Sequence, residues 1–255
     1  MRLTVDNRMT VAGHRGDSYN YHENTMTAFK EAYKAGADMI ETDIHLTKDG
    51  ELVIIHDDTV NRTTNGRGMV SELTLEDIRK LNAGDKLNIE RVPTFLEFIE
   101  WISKTPLTVN IEIKEYFLNG NDSRATECID KVIALVEKYK LTNRILINSF
   151  DAAVLEYVYK KHGKKYKLHG FYPYREMFNV GIDPTEYLYC ACIWEYDNRE
   201  YYDFLSSNGI EAWVGASITK KSILQICWEN GAKLITTNNP ADIIGKLKGL
   251  GQQWK

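Results

Sequence analysis

Short apolar runs of strand length alternate along the chain with longer stretches whose apolar positions repeat at helical spacing. Eight runs read as strands: residues 9–13, 38–44, 107–113, 144–149, 166–171, 188–193, 212–216 and 232–236. Between the first two, residues 25–35 put Met26, Phe29, Ala32 and Tyr33 on one helical face. Residues 125–139 do the same with Ile129, Val132, Ile133, Leu135 and Val136. Further helices are predicted over 152–161, 201–207, 221–230 and 241–248. Asn24, Asp151 and Thr219 stand where N-caps belong, and Gly36, Gly163 and Gly231 where helices should stop. Strands alternating with helices imply a parallel sheet. Eight of them fit an α/β fold of the closed (β/α)8 TIM-barrel type, with a doubly wound open sheet as the alternative.

One segment breaks the rhythm. Residues 45–93 hold a hairpin-like piece, then a stretch rich in Thr, Asn and Gly (61–68), then a short helix over 74–81. This reads as a small insertion after the second strand, and in a barrel such a β-to-α excursion lies over the catalytic face. The length of 255 residues agrees with about 250 for one barrel, so a single domain over 1–255 is expected.

Composition narrows the class. With 43% hydrophobic and 27% charged residues the chain is an ordinary globular protein. A net charge of −4, with both signs interspersed, gives no footprint for nucleic acid. The apolar runs are too short for stable membrane insertion. Residues 1–10 carry charges and no apolar core of a signal peptide, which points to the cytoplasm. Cys128, Cys190, Cys192 and Cys227 form no CxxC pair and read as reduced core thiols. Oligomeric state is not legible.

The chemistry-bearing residues fall at strand C-termini. The first strand ends in Gly13-His14-Arg15-Gly16, the second carries Glu41-Thr42-Asp43, the hairpin ends in His56-Asp57, and the third strand carries Glu112-Ile113-Lys114. Alternation puts Glu41 and Asp43 on one face of their strand, and Glu112 and Lys114 on one face of theirs. Three carboxylates converging on a barrel mouth need a counter-charge, and one divalent cation, Mg2+ or Ca2+, supplies it. An Arg and a Lys beside it suit an anionic substrate, phosphate best of all.

The ordered set His14-Arg15-Gly16, Glu23-Asn24-Thr25, Gly36-Ala37-Asp38, Glu41-Thr42-Asp43, Thr47-Lys48-Asp49-Gly50, His56-Asp57 and Arg62-Thr63-Thr64, followed by Glu112-Ile113-Lys114, resembles the glycerophosphodiester phosphodiesterase family. The match is dense from Gly13 to Gly68 and sparser to about Pro240. The resemblance implies that Glu41, Asp43 and Glu112 hold the metal. It implies that His14 and His56 are general acid and base, and that Arg15 and Lys114 bind the phosphate. It also implies the reaction: hydrolysis of a small glycerophosphodiester to glycerol phosphate and an alcohol. Three places depart from the family pattern: His22 where Pro is frequent, Trp213-Val214-Gly215-Ala216 where Thr and Asn are usual, and Asn238 where an Asp is frequent.

Other residues read more plainly. His22, His45, His162 and His169 are expected to be structural, Asn24 an N-cap, and Asp57 a loop residue or a support for the site rather than a ligand. Glu23 is either a helix-start carboxylate or a support for the site. Phe150, Tyr172, Trp194 and Trp213 either line the mouth or pack inside the barrel. Two rival functions share the fold: a phospholipase D-like enzyme on lysophospholipids, which needs an apolar trough, and a non-catalytic barrel that binds a phosphodiester, which should have lost a His or a metal acid.

Overall fold

The computed structural model describes residues 3–118 and 122–254. Over these residues the strands are β1 (Thr10–His14), β2 (Met39–Leu46), β3 (Leu52–Ile54), β4 (Thr108–Ile113), β5 (Ile145–Asn148), β6 (Lys167–Tyr172), β7 (Cys190–Ile193), β8 (Glu211–Val214) and β9 (Leu234–Thr237). All but β3 run parallel, and β1 pairs with both β2 and β9, so the eight close into a barrel and the open-sheet alternative is excluded. Between them run α1 (Met26–Lys34), α2 (Leu75–Arg79), α3 (Phe95–Ile102), α4 (Asp122–Lys138), α5 (Ala152–His162), α6 (Arg199–Ser207), α7 (Lys221–Asn230) and α8 (Pro240–Lys248). No described helix is long and apolar enough to cross a membrane.

Period-two alternation sorts the strand side chains into two environments. Outward residues such as Val11, Ile40, Ile44, Val109, Ile111 and Ile147 join the helices in the main core. Inward residues Ala12, Met39, Leu146, Cys190, Trp213 and Leu234 form an apolar plug with Leu3. One layer further along the strands the inward positions turn polar: Glu41, Asn110, Glu112 and Asn148. The four cysteines are free and buried, as expected.

The excursion after β2 has a simple origin. β1 pairs with β2 only as far as Glu41, so the rest of β2 has a vacant edge. β3 turns back antiparallel and takes that edge, setting Ile44 against Ile54 and Leu46 against Leu52. The rest of the segment has its own small core of Val53, Ile55, Val60, Val70, Ile78 and Val92.

Three local expectations change. Helix α3 was not expected; it is only eight residues long and sits directly after the excursion, although Phe95, Phe98, Ile99 and Ile102 face the core and Thr94 and Glu97 form a reciprocal capping box. Thr25, not Asn24, caps α1, its hydroxyl accepting from Ala28 N. Of two adjacent capping residue types, Asn24 takes a left-handed backbone (φ +57°), which Asn tolerates better than Thr. Helix α7 begins with Lys220 at the cap and no side-chain cap, so Thr219 does not serve.

Between β6 and β7 there is no α-helix, only two 3-10 turns, at Tyr174–Glu176 and Pro184–Glu186. The connection lies flat against β6 at Gly170, where even one added carbon would come within 2.9 Å of Leu188 and Met177 side-chain atoms.

Candidate active site

Strand register assembles the mouth of the barrel. His14 on β1 is level with Glu41 on β2, and Asp43 on β2 with Glu112 on β4. Lys114 follows one residue after β4, and its N–H still bonds back to Ile44 O at 3.0 Å. His56 arrives from the excursion, two residues past β3. All seven residues singled out in the sequence therefore meet at one end. Six of them line a cavity of about 330 Å³, and the seventh, Asp43, lies buried behind them.

The turn after β1 depends on backbone that few residues adopt. Arg15 (φ +55°) and Gly16 (φ +85°) are both left-handed, and a side chain at Gly16 would meet the Ala28 carbonyl carbon at 2.5 Å. This tight turn brings the Arg15 N–H onto both the backbone and the carboxylate oxygen Oε2 of Glu41, each at 3.0 Å. The Arg15 guanidinium then reaches Glu23 at 2.9 Å and Asp43 at 3.3 Å.

Glu41, Asp43 and Glu112 are buried, and each offers an oxygen within 4.8 Å of the others. Their charges are unequally supported. Burial, with Asp43 and Glu112 alongside, pushes the Glu41 carboxyl well above its ordinary range. Burial also raises Glu112, against the pull of Lys114. Asp43 falls below its ordinary value, because Lys114 and Arg15 outweigh its burial. Asp43 also accepts from Asn24 Nδ2 at 2.8 Å and faces Lys114 Nζ at 3.2 Å. Lys114 donates to Glu112, and these two carboxylates raise its pKa against the effect of burial. Glu41 Oε1 is buried with no hydrogen-bond partner. An oxygen left without a donor among three carboxylates is the donor set a hard divalent ion takes, so these residues fit Mg2+ or Ca2+.

The two histidines differ in what stands behind them. His14 Nδ1 donates to Asn238 Oδ1 at 2.6 Å, and burial followed by the Arg15 charge lowers its pKa. His56 Nδ1 donates to the Asp57 carboxylate at 2.7 Å. Asp57 is held far down in pKa, chiefly by its hydrogen bonds from Arg62. Arg62 also makes two 2.8 Å bonds to Glu23. A continuous chain of ion pairs thus runs Arg15–Glu23–Arg62–Asp57–His56.

Several supporting residues escape a reading of residue types alone. Asn238, noted in the sequence only as a departure, is the partner of His14; its place just past β9 was the available signal. Asn24 ties Asp43 to Thr42 instead of capping a helix. Glu23 precedes α1 and works through its two arginines. The remaining histidines are structural: His45 is buried against Glu115, and His22 faces Asp85 outside the mouth. His162 packs edge-on against Tyr166. His169 pairs with Asn110 inside the barrel, where burial drives its pKa down to about 3. Trp213 packs beneath His169, and Tyr172 lies among Tyr174, Tyr201 and Phe204; Phe150 and Trp194 do line the mouth, together with Phe171.

A parallel barrel with its polar chemistry gathered at the C-terminal mouth is the layout of a (β/α)8 enzyme. Comparison with known proteins is specific: the chain belongs to the glycerophosphoryl diester phosphodiesterase family, whose model matches residues 14–179. A glycerophosphodiester phosphodiesterase of Caldanaerobacter subterraneus subsp. tengcongensis is 47% identical over 145 residues, 55% of this chain and 58% of that protein. The human glycerophosphodiester phosphodiesterase 1 is 36% identical over 159 residues, 60% of this chain and 46% of that one. The chain therefore spans about half the length of such relatives. Among solved structures, one from Silicibacter pomeroyi superposes with a TM-score of 0.84 at 19% identity, covering 99% of this chain and 98% of that one. An Oleispira antarctica phosphodiesterase in complex with the product sn-glycerol-3-phosphate superposes with a TM-score of 0.77 at 22% identity, covering 94% and 97%. At these identities the structures bear on the fold alone.

Proposed function

We propose that the chain hydrolyses glycerophosphodiesters to glycerol phosphate and an alcohol, with Glu41, Asp43 and Glu112 holding one Mg2+ or Ca2+. The observation that carries this is the three buried carboxylates within 4.8 Å, met by two imidazoles and two cations. Three carboxylates against Arg15 and Lys114 leave one excess negative charge. A divalent ion turns it into one positive charge, which a singly charged diester neutralises. When bound, the ion supplies Lewis-acid polarisation of the phosphoryl oxygens.

This chain's own groups do the rest. Arg15 and Lys114 hold the phosphate oxygens. His14, kept neutral by burial and Arg15, accepts the proton of the glycerol hydroxyl that attacks phosphorus. His56, with the Asp57 carboxylate behind it, gives a proton to the departing alkoxide as its P–O bond breaks. The resulting cyclic phosphate is opened by water with the two rings exchanging roles. A lysophospholipid remains a second reading, because one wall of the cavity is apolar.

The test is release of glycerol phosphate from glycerophosphoethanolamine by the purified chain with Mg2+ or Ca2+. No release with either ion sinks the proposal. The ion-pair chain makes Arg62 a positioning residue for His56. Arg62→Ala is expected to lower kcat about tenfold or more, with a smaller change in KM and an unchanged melt. An unchanged kcat would leave Arg62 as a surface ion-pair partner only.

A further inference from the structure

The cavity at the mouth has two unlike walls. The wall formed by β1, β2 and β4 carries the charges and imidazoles. The opposite wall, from β5 to β8, carries Phe150, Phe171, Trp194, Cys192, Gly215 and Ala216, with Asn148, His169 and Ser217 as its polar residues and no carboxylate. Phe150 and Phe171 stack with centroids 3.6 Å apart and planes 11° apart. Trp194 continues the same orientation, 6.1 Å from Phe171 and inclined by 19°. Trp194 is 51% exposed, a large apolar surface left open beside a polar centre. Gly215 and Ala216 add no long side chain to this wall.

We infer that this aromatic slab is the subsite for the leaving alcohol, and that it selects an alcohol with an alkyl portion over a small polar or cationic one. The inference rests on the hydrolase reading above and assigns the two halves of its substrate. A glycerol half carries hydroxyls that need several partners, and the slab offers no acceptor and no donor beyond the Trp194 N–H. The charged wall, with its donors and acceptors, takes that half. A cationic head group such as choline is recognised by ring faces turned toward one point. Here the faces are turned toward each other and the planes are nearly parallel, which presents a flat apolar surface. The excursion does not close off this side: of residues 45–93 only His56 lines the cavity.

The test is a series of glycerophosphodiesters of ethanol, butanol and hexanol, together with glycerophosphoethanolamine, assayed for kcat/KM on the metal-loaded chain. The three simple alcohols leave with nearly equal acidity, so differences report binding at the slab. The expected result is a rise of about tenfold from ethanol to hexanol, since a slab covers each methylene on one side only. Trp194→Ala lowers the hexanol diester more than the ethanol diester, so the ratio collapses. A flat series, a preference for ethanolamine over hexanol, or equal losses for both diesters in Trp194→Ala overturns the inference while hydrolysis itself persists. Failure to hydrolyse every member would instead overturn the parent reading, and the subsite with it.

Discussion

Replacing His14 or His56 by alanine lowers turnover by about 10²-fold or more, the usual contribution of a positioned acid or base. The fold survives, because the two side chains are 27% and 32% exposed and neither fills core space. The two losses are distinguishable. His56 protonates the departing alkoxide, so a diester whose leaving group is a nitrophenol, stable as an anion, bypasses it. In a single turnover His56→Ala recovers most of its rate of nitrophenol release and His14→Ala does not, while opening of the cyclic phosphate stays slow in both. The lowered pKa of His14 also sets the sign of the pH profile. As a base it must be neutral, so the acidic limb of kcat/KM lies below the ordinary histidine value of about 6.5. Kinetics on both substrates, with a melting curve for each variant, decide the matter. Near-normal turnover in either variant, on an alkyl diester, refutes the role given to that ring.

Removing divalent ions is expected to abolish turnover, and adding Mg2+ or Ca2+ to restore it. The same centre predicts a stability effect that needs no substrate. Burial and its neighbours raise the Glu41 carboxyl above the unfolded value of about 4.3. A carboxyl raised in this way stabilises the ion-free fold below that value and weakens it as pH climbs through and beyond it. At neutral pH a bound ion removes the repulsion. At a hundredfold excess over its Kd it adds about 2.7 kcal/mol. For a chain of this size that is a rise of about 5–10 °C in Tm. The shift shrinks toward pH 4, where protonated carboxyls no longer bind the ion. Glu41→Gln removes one charge from the cluster, so this variant melts higher than the ion-free parent and no longer responds to the ion. Undiminished hydrolysis after complete chelation, or a Tm indifferent to both ions, contradicts the assignment.

The barrel was legible because its signal is repeated: strand after strand of the right length, separated by helical spacing. The acids and histidines were legible because they sit at strand ends in a fixed order. What stayed hidden depended on neighbours rather than on residue type. Thr94 and Glu97 announce α3, and Glu97 and Glu100 mark its polar face, but the helix is only eight residues long and sits directly after the excursion. Asn24 looks like a cap until β2 is placed beside it, when Asp43 and Thr42 become its partners. Asn238 is 224 residues from His14, and no local pattern joins residues so far apart. The Phe150–Phe171–Trp194 slab draws on the ends of three successive strands, and only closure of the sheet makes it one surface.

The small core beneath the excursion has a kinetic meaning. Val53, Ile55, Val60, Val70 and Ile78 pack chiefly with one another, apart from the large core behind the barrel wall. His56 rides on that patch, whereas Glu41, Asp43 and Glu112 belong to barrel strands. Segments with separate cores open with separate free energies. Opening of the smaller one would carry His56 away while the carboxylates stay assembled. Thermal inactivation and global melting are then expected to run on two different clocks, the faster one set by the small aliphatic core outside the barrel.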